Sequence, residues 1–363
     1  MNRRGLVLLV SAQAVPNIQA LLALRPDRAV VLVTPEMAGR NDRWLIRAAA
    51  RAEATPPEGF HAVRIPRADL PGPTEEALAR IFSRNPGWSW DVLLNGGTKP
   101  MALGAFTAAR AAGARCLYAD LSRPGEILDL AGGEPVPLRG PLPLGVFLAA
   151  HGFEVEGTAE DDTRRERALA YHLARCATTP PYDDTRQALR PEVPPEVARI
   201  LEEKVPGLAA GNIVDQRWRN FLAGGWLEVF LCMVLERTAG QLGLRDVVRG
   251  LRIVDGRGAV RNEIDVAAMG LHGLVAFEAK TGGRLGEDAV YKFATVLRQL
   301  RALAVHGVMV IAGAGMEAAG EAFRSRAELL GIRVVDGRDV EFLADHQDPA
   351  TVAGRLGLGG VVP

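Results

Sequence analysis

Two stretches near the start of the chain, Leu6–Val10 and Ala29–Val33, are apolar at every position, with a helical pattern around Ile18–Leu24 between them. A strand with one face in water alternates apolar and polar residues, whereas a strand apolar throughout must be covered on both faces. Asp91-Val92-Leu93-Leu94 reads as a third strand, apolar after its first residue, and passes directly into Asn95-Gly96-Gly97-Thr98-Lys99-Pro100. Met101–Ala112 has helical composition, and Arg115–Ala119 reads as a further strand. Strand, helix and strand in repeated order predict a doubly wound, mostly parallel sheet over residues 1–150. Such sheets take their ligands beyond the carboxyl ends of the strands. The loops after Val10, Val33 and Leu94 all lie there.

Residues 151–215 change character. Glu160–Arg175 is polar and helical, and Pro180, Pro181, Pro191, Pro194 and Pro195 then punctuate the chain. The expectation is a connector with short helices that builds no core. Apolar content returns from 216. Trp226–Leu235 is an apolar helix carrying one acid, Glu228. Glu263–Ala268 and Leu274–Lys280 read as neighbouring strands joined by the turn Met269–Gly273. A helix over Asp288–Val305, a strand over Val308–Ala312, a helix over Glu317–Leu330 and a strand over Arg333–Val335 complete a second α/β domain, 216–345, with a mixed sheet. Residues 346–363 read as a tail.

Composition narrows the function. Lys plus Arg and Asp plus Glu both number 43 in 363 residues, so the chain does not hold nucleic acid by bulk charge. The cysteines, Cys116, Cys176 and Cys232, are far apart, which suits a reducing cytoplasm and gives no zinc-ligand spacing. The apolar start is too short for a signal peptide's usual continuation, and no run reaches membrane-spanning length. Only four of the basic residues are lysines: Lys99, Lys204, Lys280 and Lys292. In so arginine-rich a chain a lysine is informative, because the two cations differ in shape and hydration.

Two of those lysines fall in motifs. Asn95-Gly96-Gly97-Thr98-Lys99 stands where a strand becomes a helix. The glycines let the backbone turn tightly, and the helix start offers free N–H groups beside a hydroxyl and a cation. An anionic ligand such as a phosphate would suit it. The spacing matches neither GxxxxGK[ST] nor GxGxxG. A plain tight turn with a solvated lysine is the alternative. Ser11-Ala12-Gln13 after the first strand and Thr34-Pro35-Glu36 after the second would flank the same edge, with ordinary polar loops as the alternative.

The other motif joins Asp265 to Glu278-Ala279-Lys280. Side chains alternate along a strand, so Glu278 and Lys280 share a face, and a hairpin partner can bring Asp265 to it. Two carboxylates on apolar strands are costly to bury unless paired, and a divalent metal explains them more economically than a salt bridge alone. Glu228 could supply another oxygen. Mg²⁺ or Mn²⁺ held there would suit phosphodiester hydrolysis, with Lys280 orienting the water or helping to deprotonate it. Tyr291, Lys292, Arg298 and Arg301 offer a possible strand-contacting helix face, or simply a solvated one.

With Asp265, Glu278, Lys280 and the helical Glu228, the second half resembles the PD-(D/E)xK restriction-endonuclease-like fold, with Ile264 where a proline often stands. The Asn95–Met101 loop resembles that of CARF domains, the cyclic-oligoadenylate sensors of type III CRISPR defence. Their order resembles the CARF nucleases switched on by cyclic tetra-adenylate. The resemblance implies a Rossmann-like sensor, a metal-dependent nuclease acting on DNA or RNA, and a cytoplasmic homodimer. It places Ser11, Gln13, Thr34, Asn95, Gly96, Gly97, Thr98, Lys99 and Met101 around the ligand. Two other readings stay open: a sensor with a silent nuclease-like domain, and a restriction or repair nuclease free of cyclic-oligoadenylate control.

Overall fold

The computed structural model describes residues 3–120, 125–160, 162–183, 188–190, 193, 195–205, 208, 215–256, 258, 261–271, 273–281, 288–300, 305–313 and 315–359. The chain divides into two compact units: 1–154 with 254–260 and 271–273, and 155–253 with 261–270 and 274–363. Both are α/β, as the sequence predicts.

The first unit runs β1 (Arg4–Leu9), α1 (Val15–Leu24), β2 (Arg28–Val33), α2 (Asn41–Arg51), β3 (Phe60–Arg64), α3 (Gly72–Arg84), β4 (Ser89–Leu93), α4 (Lys99–Ala111), β5 (Arg115–Tyr118), β6 (Glu126–Asp129), β7 (Val136–Pro137) and α5 (Leu144–Ala150). The sheet order is β3-β2-β1-β4-β5-β6-β7, parallel through the first five strands and antiparallel beyond β5. Leu6–Leu9 on β1, in the middle, are wholly buried, which accounts for their unbroken apolar run. Edge strand β3 is mostly exposed and lacks that signature, so the sequence did not reveal it.

The second unit continues with β8 (Phe153–Gly157), α6 (Arg164–Ala174), the two-residue strands β9 (Tyr182–Asp183) and β10 (Ala188–Leu189), α7 (Pro195–Lys204) and α8 (Gln216–Asn220). A π-turn (Phe221–Gly225) leads into α9 (Trp226–Thr238). Then come β11 (Arg245–Asp255), β12 (Arg261–Gly270), β13 (Gly273–Thr281), α10 (Asp288–Gln299), β14 (Val305–Ala312), α11 (Gly315–Leu329), β15 (Ile332–Val335), α12 (Gly337–Asp345) and α13 (Pro349–Leu356). The six-stranded sheet has the order β15-β14-β13-β12-β11-β8. Helix α9 buries residues all round, including Trp226, Leu227, Phe230 and Leu231, as a helix inside a core must.

Three expectations need correction. Residues 151–215 are not a bare connector: Leu169 and Leu173 of α6 and Leu201 of α7 belong to the core built around α9. The polar face of α6 had masked its apolar stripe. The 346–363 tail includes α13, whose Val352 and Leu356 enter that same core. The helix expected to reach Val305 ends at Gln299, and Val305 opens β14, paired with Leu274. Among the described residues, no helix is long and apolar enough to cross a membrane.

Candidate active site and ligand cleft

In the second unit, alternation along β12 buries Ile264 and Val266 and leaves Asp265 half-buried between them. On β13 the pattern changes from fully buried Gly273–Phe277 to half-buried Glu278–Thr281, so the acid and the lysine emerge where the core ends. The Ala279 N–H donates to Asp265 Oδ2 at 2.7 Å, fixing that carboxylate against the neighbouring strand. Lys280 Nζ lies 2.6 Å from Glu278 Oε1 and 4.0 Å from Asp265 Oδ2. Side-chain exposure is 19% for each of the two acids.

The electrostatics follow from crowding. Burial, then the charge of Glu278, raises the Asp265 carboxyl to about 6, although the Ala279 N–H opposes the shift. Burial, then Asp265, raises Glu228 to about 7, with Arg249 opposing. Burial disfavours the Lys280 ammonium, but the hydrogen bond and charge of Glu278 outweigh it, and the lysine is raised overall. Three carboxylates thus share a secluded space with too little positive charge. An oxygen-only donor set suits a hard divalent ion. As the side chains stand, no three His, Cys, Asp or Glu among the described residues enclose one. Glu278 is drawn to Lys280, and Glu228 leans toward Arg249 at 3.7 Å.

Sequence reasoning missed several parts. Arg249 sits on β11, a strand that no sequence pattern marked. Asp162, 2.6 Å from Arg249, lies in the expected connector. The Thr281 hydroxyl donates to the Ala223 carbonyl, tying the π-turn ahead of α9 to the end of β13. Tyr291, Lys292 and Arg298 stand on the exposed face of α10, where the Arg326 guanidinium covers the Tyr291 ring at 5.7 Å. None of the three pairs with the acidic cluster among the described residues. Arg301 lies outside the described residues.

In the first unit a cleft of about 480 Å³ lies beyond four parallel strands. Val10 and Ser11 follow β1, Thr34–Met37 follow β2, Pro66, Ala68 and Asp69 follow β3, and Gly97, Thr98 and Pro100 follow β4. Gly96 and Gly97 hold φ of +88° and +60°, and a Cβ on Gly96 would stand 2.4 Å from the Leu9 carbonyl oxygen. Only glycine lets this loop close over β1. Thr98 caps α4, accepting from the Met101 N–H at 3.3 Å and donating to the Ala68 carbonyl. Exposed Lys99 begins the helix.

Two expected ligand contacts have other work. Met101 is wholly buried in the unit's core. Asn95 spends both ends of its amide on Ala119, donating to its carbonyl at 2.9 Å and accepting from its N–H at 2.7 Å, so it ties β4 to the end of β5. Gln13 does not line the cleft, though its N–H donates to Ser11 Oγ at 3.0 Å. Met37, Pro66, Ala68 and Asp69 were not foreseen. Three of these four follow β3, the strand the sequence concealed.

Residues 6–128 match the model of the Card1 CARF domain, and residues 215–349 match that of the Card1-like endonuclease domain. No curated protein matches. Among solved structures, Can2 from Sulfobacillus thermosulfidooxidans, in complex with cyclic tetra-adenylate, superposes with a TM-score of 0.76 at 20% identity, over 98% of this chain and 99% of that one. Protein VC1899 from Vibrio cholerae gives a TM-score of 0.77 at 16% identity over 99% of both chains. A type III CRISPR defence DNA nuclease activated by cyclic oligoadenylate gives 0.56 at 22% identity, over 86% of this chain and 45% of its own.

Proposed function

The chain joins a Card1-type CARF domain to a Card1-like endonuclease domain, and from that premise we propose that it is an endonuclease of type III CRISPR defence switched on by cyclic oligoadenylate. The observation that carries the nuclease half is the convergence of Asp265, Glu278 and Lys280, with Glu228 beside them. The cleft beyond β1–β4, with a helix start at its floor, supports the sensor half. Cyclic tetra-adenylate is the ring proposed, because a chain of the same fold, Can2, is seen with it. The substrate is DNA or RNA, and the setting is the cytoplasm.

Asp265 and Glu278 would hold Mg²⁺ or Mn²⁺, with Glu228 as a further oxygen donor. Such an ion supplies Lewis-acid polarisation of the scissile phosphate and a more acidic water. Asp265 presents one oxygen to the Ala279 N–H, which leaves the other to face the ion. Lys280, its charge reinforced by Glu278, orients the attacking water and steadies the negative charge that grows on the phosphate oxygens. A positively charged lysine favours that orienting role over removal of the water's proton. Ser11, Thr34, Gly97, Thr98 and Lys99 hold the ligand's phosphates and bases. Tyr291, Lys292 and Arg298 guide the substrate strand. A homodimer would give a cyclic tetranucleotide a two-fold site. The ligand activates only by binding the competent state more tightly than the idle one.

Purified protein with Mn²⁺ and labelled single- and double-stranded DNA and RNA, with and without cyclic tetra-adenylate, tests the reading. Cleavage that requires the ligand is expected. Equal cleavage without it would overturn the switch, and undiminished cleavage by Glu278→Ala would overturn the site.

A further inference from the structure

Glu228 does not stand alone beside the acidic pair. Arg249 Nη1 lies 3.7 Å from Glu228 Oε2, and the other arm of the guanidinium, Nη2, donates to Asp162 Oδ1 at 2.6 Å and to the Glu160 carbonyl at 3.0 Å. The three charged side chains are only 26%, 20% and 12% exposed for Glu228, Arg249 and Asp162. The stretch bearing Asp162 is itself stitched to β11: the Ala159 N–H donates to the Arg249 carbonyl at 2.9 Å, and Arg252 Nη2 donates to the Thr158 carbonyl at 3.2 Å. Gly250 takes φ +58°, and a Cβ there would meet the Ala159 Cβ at 2.9 Å, so the two segments lie in close contact.

The distances decide how charge is shared. Asp162, at 2.6 Å, is the carboxylate that neutralises Arg249. Glu228, at 3.7 Å, is oriented by the guanidinium without being tied down by it, and its charge remains for another cation. A planar fork with donors on two arms can fix one carboxylate and aim a second, which a lysine cannot do.

We propose that Asp162 and Arg249 form a clamp that positions the Glu228 carboxylate for the divalent ion, so that the segment between β8 and α6 belongs to the nuclease machinery. Asp162 lies outside residues 215–349, the part that matches the endonuclease model. The inference rests on the metal reading of the previous subsection. Both clamp members are positioning residues: they act through Glu228.

The test is Mn²⁺ binding to the full chain by calorimetry, without nucleic acid or cyclic oligoadenylate, alongside the Mn²⁺ and substrate dependence of cleavage. Arg249→Ala and Asp162→Asn should each weaken Mn²⁺ binding by about 10-fold or more, as losing a group that orients a metal ligand typically does. The Mn²⁺ concentration for half-maximal cleavage should rise with them, while the substrate KM stays put. Arg249→Lys should restore little, because one ammonium cannot span both acids. Asp162→Asn should add nothing in the Arg249→Ala background. Where Arg249→Ala fails to fold, Arg249→Lys and Asp162→Asn carry the test, since both retain polar bonds. Unchanged Mn²⁺ affinity with a raised substrate KM would overturn the clamp and make Arg249 a substrate contact. Undiminished Mn²⁺ binding in Glu228→Gln, with binding lost in Glu278→Ala, would overturn the clamp and spare the nuclease. A parent chain that binds no Mn²⁺ would remove the metal reading and the clamp together.

Discussion

Lys280 Nζ stands 2.6 Å from Glu278 Oε1, two residues earlier on the same strand, while Asp265 on the neighbouring strand is 4.0 Å away. Alternation makes the first contact possible, and the hairpin partner supplies the second. The lysine therefore belongs first to Glu278. Removing either member changes the charge felt by Asp265.

Glu278→Gln keeps the shape of the side chain and removes its charge. Cleavage should fall by about 10³-fold or more, because the carboxylate proposed to hold the metal and the partner of Lys280 are lost together. Affinity for cyclic tetra-adenylate should be unchanged within about two-fold, since the cleft is built from other residues. Gel-based cleavage and calorimetry on the same preparation check both. Parental cleavage by this variant would mean that the acid does no chemistry.

Glu228 yields a pH prediction with a definite sign. Its folded-state carboxyl is raised from 4.5 to about 7. The folded protein therefore holds that proton more tightly than the unfolded chain between those values, and stability falls as pH rises through the window. Glu228→Gln, neutral throughout, escapes this penalty. In chelator-treated protein the variant should gain thermal stability over the parent as pH moves from 5 to 8. The gain should stay below about 3 kcal/mol, the full worth of the shift for a carboxylate that keeps some solvent. Mn²⁺ should recover most of the difference in the parent at pH 8. A variant-minus-parent difference that shrank with pH would reverse the assignment.

What the sequence disclosed follows burial. β1 and β2 were legible because wholly buried strands are apolar throughout, and the Asp265, Glu278, Lys280 set because charges on apolar strands are conspicuous. β3 was hidden by its exposed edge position, and with it Pro66, Ala68 and Asp69 of the cleft. Arg249 and Asp162 were invisible for another reason: an arginine and an aspartate 87 residues apart mean nothing until β11 is seen to carry one past the other. Asn95 and Met101 show the opposite failure. Both sit inside a recognisable motif, yet one ties two strands together and the other fills the core.

That distinction predicts different outcomes within one loop. Asn95→Ala leaves the Ala119 N–H and carbonyl without their partner and should cost about 1–3 kcal/mol of stability. Lys99→Ala removes an exposed side chain and should leave the melting temperature within about 1 °C, because surface changes of this kind are nearly neutral. Cyclic tetra-adenylate binding should respond in the other order, weakening by about 10-fold or more for Lys99→Ala, which removes the charged donor proposed for the ligand's phosphate. Thermal melts and a binding isotherm for each variant separate the roles. Equal ligand affinity in Lys99→Ala and the parent would take the lysine out of the site.

The two glycines that precede Thr98 should not be equally replaceable. At Gly97 an alanine would sit at φ +60°, a left-handed conformation that an L residue can adopt at modest cost, with its Cβ 3.1 Å from Leu9 Cδ2, the movable end of a side chain. At Gly96 it would need φ +88° and would drive its Cβ to 2.4 Å from the Leu9 carbonyl oxygen, backbone in the centre of the sheet. Side chains rotate away, whereas a buried strand cannot shift without breaking its ladder. Gly97→Ala should cost about 1 kcal/mol, and Gly96→Ala about 3 kcal/mol or more from strain and displacement combined. Gly97→Ala should still fold and bind the ligand more weakly, because its Cβ would intrude into the cleft where the ligand's phosphate is proposed to approach the backbone. Gly96→Ala should either move the loop off β1, abolishing binding, or fail to accumulate as folded protein. Chemical denaturation with ligand titration ranks them, and a Gly96→Ala protein as stable as Gly97→Ala would show that the loop does not close over Leu9 in this way.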